Sequence, residues 1–148
     1  MDKDVLITIS GLMYAGDDHD SVDVIAPGQY YYRRGRHYLV YEEPVEESQE
    51  IIHNLVWISP EEMVVRKSGV ISTEMCFRPN QDTVTHYSTP YGAVEMGIHT
   101  KRLQIRETEE MLDVKVNYSL EIDYQSVSEN HIRFLVQSKH DSSFTLKR

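Results

Sequence analysis

The chain has 148 residues, of which 40% are hydrophobic and 26% are charged, and its formal net charge is −9. This composition is typical of a folded soluble protein and excludes a disordered or membrane-embedded chain. The length predicts a single domain over residues 1–148 with a full core. Because a negative surface repels phosphate groups, we expect no nucleic-acid partner, and because no segment is long and apolar enough for a membrane helix, we expect no membrane partner.

The cysteine content indicates the compartment. Cys76 is the only cysteine, which excludes an intrachain disulfide and a multi-cysteine zinc site. The first residues lead into a short alternating strand without the apolar run of a signal peptide, and no segment has the roughly 20 apolar residues of a membrane helix. We therefore expect a cytoplasmic protein.

Short alternating segments follow one another along the chain. Residues 5–13 predict the first strand, and residues 22–26 continue past Pro27 and Gly28, which we interpret as a bend within one long strand. The later predicted strands are 51–58, 63–67, 70–77, 84–88, 93–100 with a kinked continuation over 103–105, 112–124 and 132–136. Only residues 107–111 leave room for a short helix.

A tyrosine-rich hairpin is predicted within residues 28–43, with strands over 30–32 and 37–41, and it contains five of the ten tyrosines. Residues 33–35 are interpreted as a type I turn followed by a left-handed glycine bulge. In that register Tyr30 faces Tyr38 and Tyr31 faces His37. Since both faces carry aromatic side chains, the pattern leaves open which face points inward.

The predicted fold class is all-β with little or no helix. About ten strands at hairpin spacing exclude a parallel sheet and leave an antiparallel sandwich or barrel. The long strand over residues 112–124 favours the barrel, because strands that tilt around a closed sheet are longer than usual. We therefore predict a single antiparallel up-and-down β-barrel.

Several short motifs resemble the YwiB-like family of small bacterial proteins of unknown function. The motifs are Pro27-Gly28-Gln29-Tyr30-Tyr31, Tyr38 with Tyr41-Glu42-Glu43, Arg66-Lys67-Ser68-Gly69, Tyr87-Ser88-Thr89-Pro90-Tyr91-Gly92 and Tyr118-Ser119-Leu120. The resemblance implies a calycin-like, lipocalin-like barrel in a bacterial cytoplasm, and it implies no activity. The Gly-x-Trp motif of lipocalins is absent after Gly11, so no lipid ligand is carried over.

Inward-pointing tyrosines with a few polar groups predict a pocket for a small amphipathic or anionic ligand. The alternative is an interior filled by its own side chains. The candidate ligand-binding residues are Tyr31, Tyr41, Tyr87, Tyr91 and Tyr118 as walls, with Arg66 and His86 as polar contacts.

Two further hypotheses use other residues. Arg33, Arg34 and Arg36 lie beside the hairpin tyrosines and suit an interface with a protein partner or a second copy of the chain. An enzyme with a histidine and a carboxylate in the barrel mouth is the weaker alternative. No known catalytic motif is present in the sequence, and we assign no catalytic residue, metal ligand or cofactor.

Overall fold

The structure is a computed structural model that describes residues 1–45 and 47–139. Ten strands account for most of these residues. They are β1 (Asp4–Ala15), β2 (Asp18–Arg33), β3 (Arg36–Pro44), β4 (Ile51–Ser59), β5 (Glu62–Ser68), β6 (Ser72–Phe77), β7 (Gln81–Thr89), β8 (Gly92–Glu107), β9 (Met111–Ile122) and β10 (Gln125–Ser138).

Each strand pairs antiparallel with the next one along the chain, and β1 pairs with β10, so the sheet closes into a barrel. The predicted all-β, up-and-down antiparallel barrel is therefore confirmed. Residues 107–111, where the sequence left room for a short helix, instead form the end of β8, a turn and the start of β9. Within the described residues, no helix is long and apolar enough to cross a membrane.

Two strand pairs shift register, and the sequence predicts one of the two places: the shift between Ser126 and Ser128 in the β9–β10 pairing was not predicted. The pairing of β8 with β9 shifts register between Thr100 and Arg102, which is the predicted kink. β2 runs unbroken through Pro27 and Gly28. A Cβ at Gly28 would lie 2.8 Å from the backbone carbonyl oxygen of Val40 on the neighbouring strand β3, so only glycine fits at this position.

The turn of the tyrosine-rich hairpin differs from the prediction. Arg34 and Gly35 both have positive φ angles, 52° and 78°, as in a two-residue type I′ turn. Tyr31 therefore pairs with Tyr38, and Tyr32 pairs with His37. The predicted glycine-bulge register is wrong by one residue, because the type I′ turn needs no third loop residue and its twist matches that of the strands.

The register settles which face of the hairpin points inward. Tyr30 and Tyr41 are buried in the core, whereas Tyr31 and Tyr38 lie on the outer face of the barrel. Tyr32 follows Tyr30 on the inner face but lies at the barrel end, where it is exposed. The hairpin thus contributes one aromatic row to the core and another to the surface.

The interior consists of two halves. The closed half lies at the end that holds the start of β1, the end of β10 and the β2–β3, β4–β5 and β8–β9 turns. Its core side chains are fully buried: Val5, Ile7, Leu39, Val56, Ile58, Met63, Leu112, Val114 and Val136. The open half lies at the other end, where the inner faces of β1 and β2 become exposed.

The wall between β6 and β7 is held partly by side chains. Only Ser72 with Ser88 and Thr73 with Tyr87 pair along this edge. The Thr85 hydroxyl donates to the carbonyl oxygen of Glu74 and lies 3.1 Å from the Thr73 hydroxyl. The Thr85 hydroxyl thus satisfies a carbonyl oxygen that a regular strand pair would bond through its backbone, and the Thr73 hydroxyl adds a side-chain contact.

Candidate functional site

A cavity of about 190 Å³ occupies the open half of the barrel interior. Most of its wall is apolar, and the lining side chains come from strands on opposite sides of the barrel. The lining residues are Ile9, Val22, Val24, Tyr41, Glu43, Val65, Lys67, Met75, Phe77, Val116, Tyr118, Ile132 and Phe134. This set is the inward-facing row of seven strands, so the cavity is the lumen of the barrel.

The burial of the lining residues shows how the cavity is oriented. Val116 is 1% exposed and forms the floor with Phe77 and Phe134. Val22, at the other end of the cavity, is 43% exposed. The cavity therefore opens at the end of the barrel that carries the β1–β2 and β3–β4 turns.

A polar cluster lies at the rim of this opening. Lys67 Nζ donates to Glu43 Oε1 at 3.0 Å and to Asn54 Oδ1 at 2.8 Å. Asn54 Nδ2 lies 3.4 Å from the same Glu43 oxygen. The Lys67 side chain is 27% exposed and that of Glu43 is 38% exposed, so the ion pair is only partly removed from water. We refer to these three residues as the rim cluster.

Two tyrosines add hydroxyl groups to the apolar walls. Tyr41 and Tyr118 line the cavity, and the ring of Tyr118 packs at 4.8 Å from that of Phe77. Burial raises the pKa of Tyr118 to about 12, and burial together with the nearby Glu43 carboxylate raises the pKa of Tyr41. Both side chains are therefore neutral hydroxyls at physiological pH.

The predicted pocket residues do not all lie at the cavity. Tyr41 and Tyr118 lie at the cavity as expected, and Tyr87 lies on the inner face beside Thr73 but outside the lining. Tyr91 is 99% exposed at the tip of the β7–β8 turn. The expectation that Tyr91 lines the lumen is wrong, because it belongs to the turn and not to a strand.

Three other predicted pocket residues point outward. Tyr31 contacts the Lys3 ammonium from the outer face, with 5.4 Å between the Nζ atom and the ring centre. Arg66 stacks on Trp57 and pairs with Glu74 at 3.1 Å, and His86 is exposed 3.4 Å from Glu95. The expectation that Tyr31, Arg66 and His86 point inward is wrong, because alternation along each strand places them on the outer face.

The same alternation identifies the polar residue that the sequence prediction missed. Met63 and Val65 are inward-facing on β5, so Lys67 continues their row. Glu43 follows Tyr41 in the same way on β3. Each residue was present in a motif, but choosing Lys67 over Arg66 required knowing which face of β5 is buried.

The basic residues of the hairpin lie apart from the cavity. Arg33, Arg34 and Arg36 are exposed at the closed end of the barrel. Within the part of the chain that the structure describes, their side chains form no ion pair and no hydrogen bond. They therefore present three positive charges that have no ion-pair partner among the described residues, on an acidic protein.

Histidine and carboxylate pairs also lie outside the cavity. His99 Nδ1 is 2.6 Å from Asp82 Oδ1 on the exposed face of β7 and β8. In the closed half, the Tyr30 hydroxyl lies 2.7 Å from Nδ1 of His37, whose Nε2 is 3.8 Å from Glu107. Burial lowers the pKa of His37, and the nearby Glu107 carboxylate offsets part of this effect.

A larger depression lies on the outer surface of the barrel. Its volume is about 510 Å³, and it crosses the outer faces of β1, β2, β9 and β10. Arg133, at its edge, forms two hydrogen bonds to Asp113, and these bonds hold the pKa of that carboxyl below its usual range. This groove is open to solvent, whereas the lumen is enclosed by apolar walls, so the lumen is the better candidate site.

Together, the fold and the cavity define a closed ten-stranded β-barrel with one accessible end. The family described as a domain of unknown function, DUF1934, matches residues 7–134, so the chain belongs to that family. The uncharacterized β-barrel protein YwiB of Bacillus subtilis is 24% identical over 124 residues, which are 82% of this chain and 86% of that protein.

The structural comparison agrees with the sequence comparison. The crystal structure of the YwiB protein from Bacillus subtilis matches with a TM-score of 0.82 and 18% identity, over 92% of each chain. The resemblance to the YwiB-like family is therefore confirmed, and so is the barrel fold. The matched family is described as a domain of unknown function and YwiB as uncharacterized, and the calycin relationship stays a prediction.

Proposed function

We propose that this protein binds a small amphipathic molecule in the lumen of the open half. The observation that carries the proposal is the apolar cavity of about 190 Å³ with the rim cluster at its mouth. Apolar walls with a few convergent polar groups are typical of small-molecule sites. The walls would hold the apolar part of the ligand, and the rim cluster would contact its polar end.

The cavity volume limits the size of the ligand. A dry engineered cavity of about 150 Å³ accommodates benzene, so 190 Å³ holds a ring of that size or a chain of about six carbons. Burying such a chain contributes about 5 kcal/mol by the usual value per methylene. We therefore expect dissociation constants on the order of 0.1–1 mM for simple six-carbon compounds.

A thermal-shift series tests this proposal. 1-Hexanol, hexanamide and hexanoate are titrated into the wild-type protein and into Val116→Phe, whose new ring would fill the floor of the cavity. Because a ligand that binds only the folded state raises the melting temperature, at least one compound should raise that of the wild type and none that of Val116→Phe. Equal shifts in both proteins, or no shift in either, would contradict the proposal.

A second candidate function is supported by the arginines of the hairpin, which form no ion pair within the described part of the chain. Arg33, Arg34 and Arg36 lie next to the exposed Tyr31 and Tyr32, and Tyr and Arg are enriched at interface hot spots. A two-fold contact between copies centred on this hairpin would bring like charges together, so we propose an acidic protein segment as the partner.

An oligo-glutamate peptide is a direct probe of this second function. Binding should weaken as salt is added and should be lost when the three arginines are replaced by glutamine. The matched control replaces Lys115, Lys101 and Arg102 by glutamine, which removes the same number of charges elsewhere on the barrel. Equal binding by the two triple variants would exclude the hairpin as the specific surface.

We also propose a cytoplasmic location, which the single cysteine supports.

Cys76 is only partly buried, and burial together with Glu62 raises the pKa of its thiol. A neutral thiol is a weak nucleophile, so this residue suits a packing role better than a catalytic one.

A further inference from the structure

We propose that the lumen selects an uncharged polar head group that both donates and accepts hydrogen bonds, such as a primary amide or an alcohol, over a carboxylate on the same tail. This inference rests on the proposed binding function and adds the chemistry of the ligand head. It follows from the charge balance and the remaining hydrogen-bonding capacity of the rim cluster.

The charge balance disfavours an ionic head. Lys67 and Glu43 both line the cavity and carry opposite charges, with 3.0 Å between Nζ and Oε1. A carboxylate that approached Lys67 would also approach Glu43, so attraction and repulsion would largely cancel. The carboxylate would still lose part of its hydration. An uncharged head avoids both costs.

The remaining capacity of the rim cluster matches a group that donates and accepts. A lysine ammonium has three N–H donors, and Lys67 uses two of them on Glu43 and Asn54. Among the described residues, the hydrogen bonds to Glu43 all reach Oε1, which leaves Oε2 as an acceptor. An amide carbonyl can accept from Lys67 while its N–H donates to Glu43.

The tyrosines extend this neutral polar lining into the cavity. Tyr41 and Tyr118 line it, and their hydroxyls form no hydrogen bond with any residue in the described part of the chain. As neutral groups they donate one hydrogen bond and accept others. They can therefore form hydrogen bonds with the hydroxyl or amide group of a ligand at different depths in the cavity, and they add no charge.

Isothermal titration at pH 7.5 with hexanamide, 1-hexanol and hexanoate tests the inference. The wild type should bind hexanamide at least about tenfold more tightly than hexanoate, which corresponds to about 1.4 kcal/mol. Glu43→Gln leaves Lys67 as an uncompensated cation beside the cavity. Hexanoate should therefore gain about tenfold in affinity for this variant, and the preference should disappear or reverse.

Two further variants keep this test specific. Glu42→Gln changes the net charge equally, but Glu42 is the outward neighbour on β3, so the wild-type order should persist. Lys67→Met leaves Glu43 without its cation and should allow hexylammonium to bind. Circular dichroism and melting temperature establish that each variant is folded.

The outcomes separate the inference from the proposed function. If hexanoate binds the wild type as tightly as hexanamide does, or if Glu43→Gln behaves like Glu42→Gln, the head-group inference is overturned while lumen binding stands. If none of the six-carbon compounds binds the wild type, the proposed function fails and the inference fails with it.

Discussion

The two halves of the barrel interior differ in packing although the same strands run through both. Ile7 and Val114 in the closed half are fully buried among other aliphatic side chains. Two positions further along the same strands, Ile9 and Val116 line the cavity. On both strands, the change from packed core to cavity therefore occurs between two successive inward-facing residues.

The closed end is sealed by the first residues of the chain. Met1 packs against the core, and the Asp2 backbone N–H donates to the Ser138 hydroxyl at 3.0 Å. The Tyr30 backbone N–H donates to the carbonyl oxygen of Lys3 at 2.7 Å. At the other end, the inner face is exposed at Val22 and Met13. The difference indicates that tight packing is concentrated at one end and that the cavity is accessible from the other.

The largest predicted contrast comes from truncating two isoleucines of β1. Ile7→Ala should lower the free energy of unfolding by about 2–5 kcal/mol, since it creates a new void in a packed core. Ile9→Ala should cost only about 1–2 kcal/mol, because its methyl groups already border an existing cavity. Urea denaturation measures both. Equal losses would mean that the two halves are packed alike.

Enlarging two valines of β9 tests the same contrast from the opposite direction. Val114→Phe should cost about 1–3 kcal/mol through overpacking. Val116→Phe should cost less than about 1 kcal/mol, because the ring enters the cavity, yet it should abolish ligand binding. Val114→Phe, where it folds, should still bind hexanamide. A larger loss of stability in Val116→Phe would show that the lumen has no free space.

The closed half should also respond to pH through His37. Its pKa is lowered in the folded protein, so below about pH 6.5 the unfolded chain binds more protons. Stability should therefore fall as the pH drops from about 6.5 through the folded pKa. Protonation of Nδ1 also removes the acceptor for the Tyr30 hydroxyl. In His37→Gln this part of the pH dependence should vanish, and an unchanged profile would contradict the assignment.

The smallest effect is expected at the turn of the tyrosine-rich hairpin. Arg34 has a φ of 52°, a conformation that asparagine adopts more readily than arginine. Arg34→Asn should stabilise the protein by about 0.5–1 kcal/mol without changing binding in the open half. Arg33→Asn, at a position without positive φ, is the control and should give no gain. A gain in both variants would point to reduced charge repulsion instead.

The sequence was sufficient to predict the barrel but not the faces of every strand. In β9 apolar residues alternate with polar ones from Leu112 to Ile122, so one face had to be buried. In the hairpin, aromatic residues occupy both faces, and a turn shorter by one residue changed the pairing of Tyr31. Periodicity is informative only where the two faces differ in polarity.

The site was predicted only in part for the same reason. Tyr41 and Tyr118 were expected at the cavity and lie there, whereas Arg66 was chosen over Lys67 as the polar contact. The two residues are neighbours, and adjacent positions on a strand point to opposite faces. The rim cluster also joins side chains from β3, β4 and β5, a contact that depends on the register of three strands.

Xenon derivatisation of crystals of this protein is the most direct test of the difference between the halves. Xenon enters apolar cavities and is excluded from close-packed cores. We predict a xenon site among Val65, Phe77 and Val116 in the open half and none among the fully buried residues of the closed half. Continuous side-chain packing across the lumen with no xenon there would contradict the account.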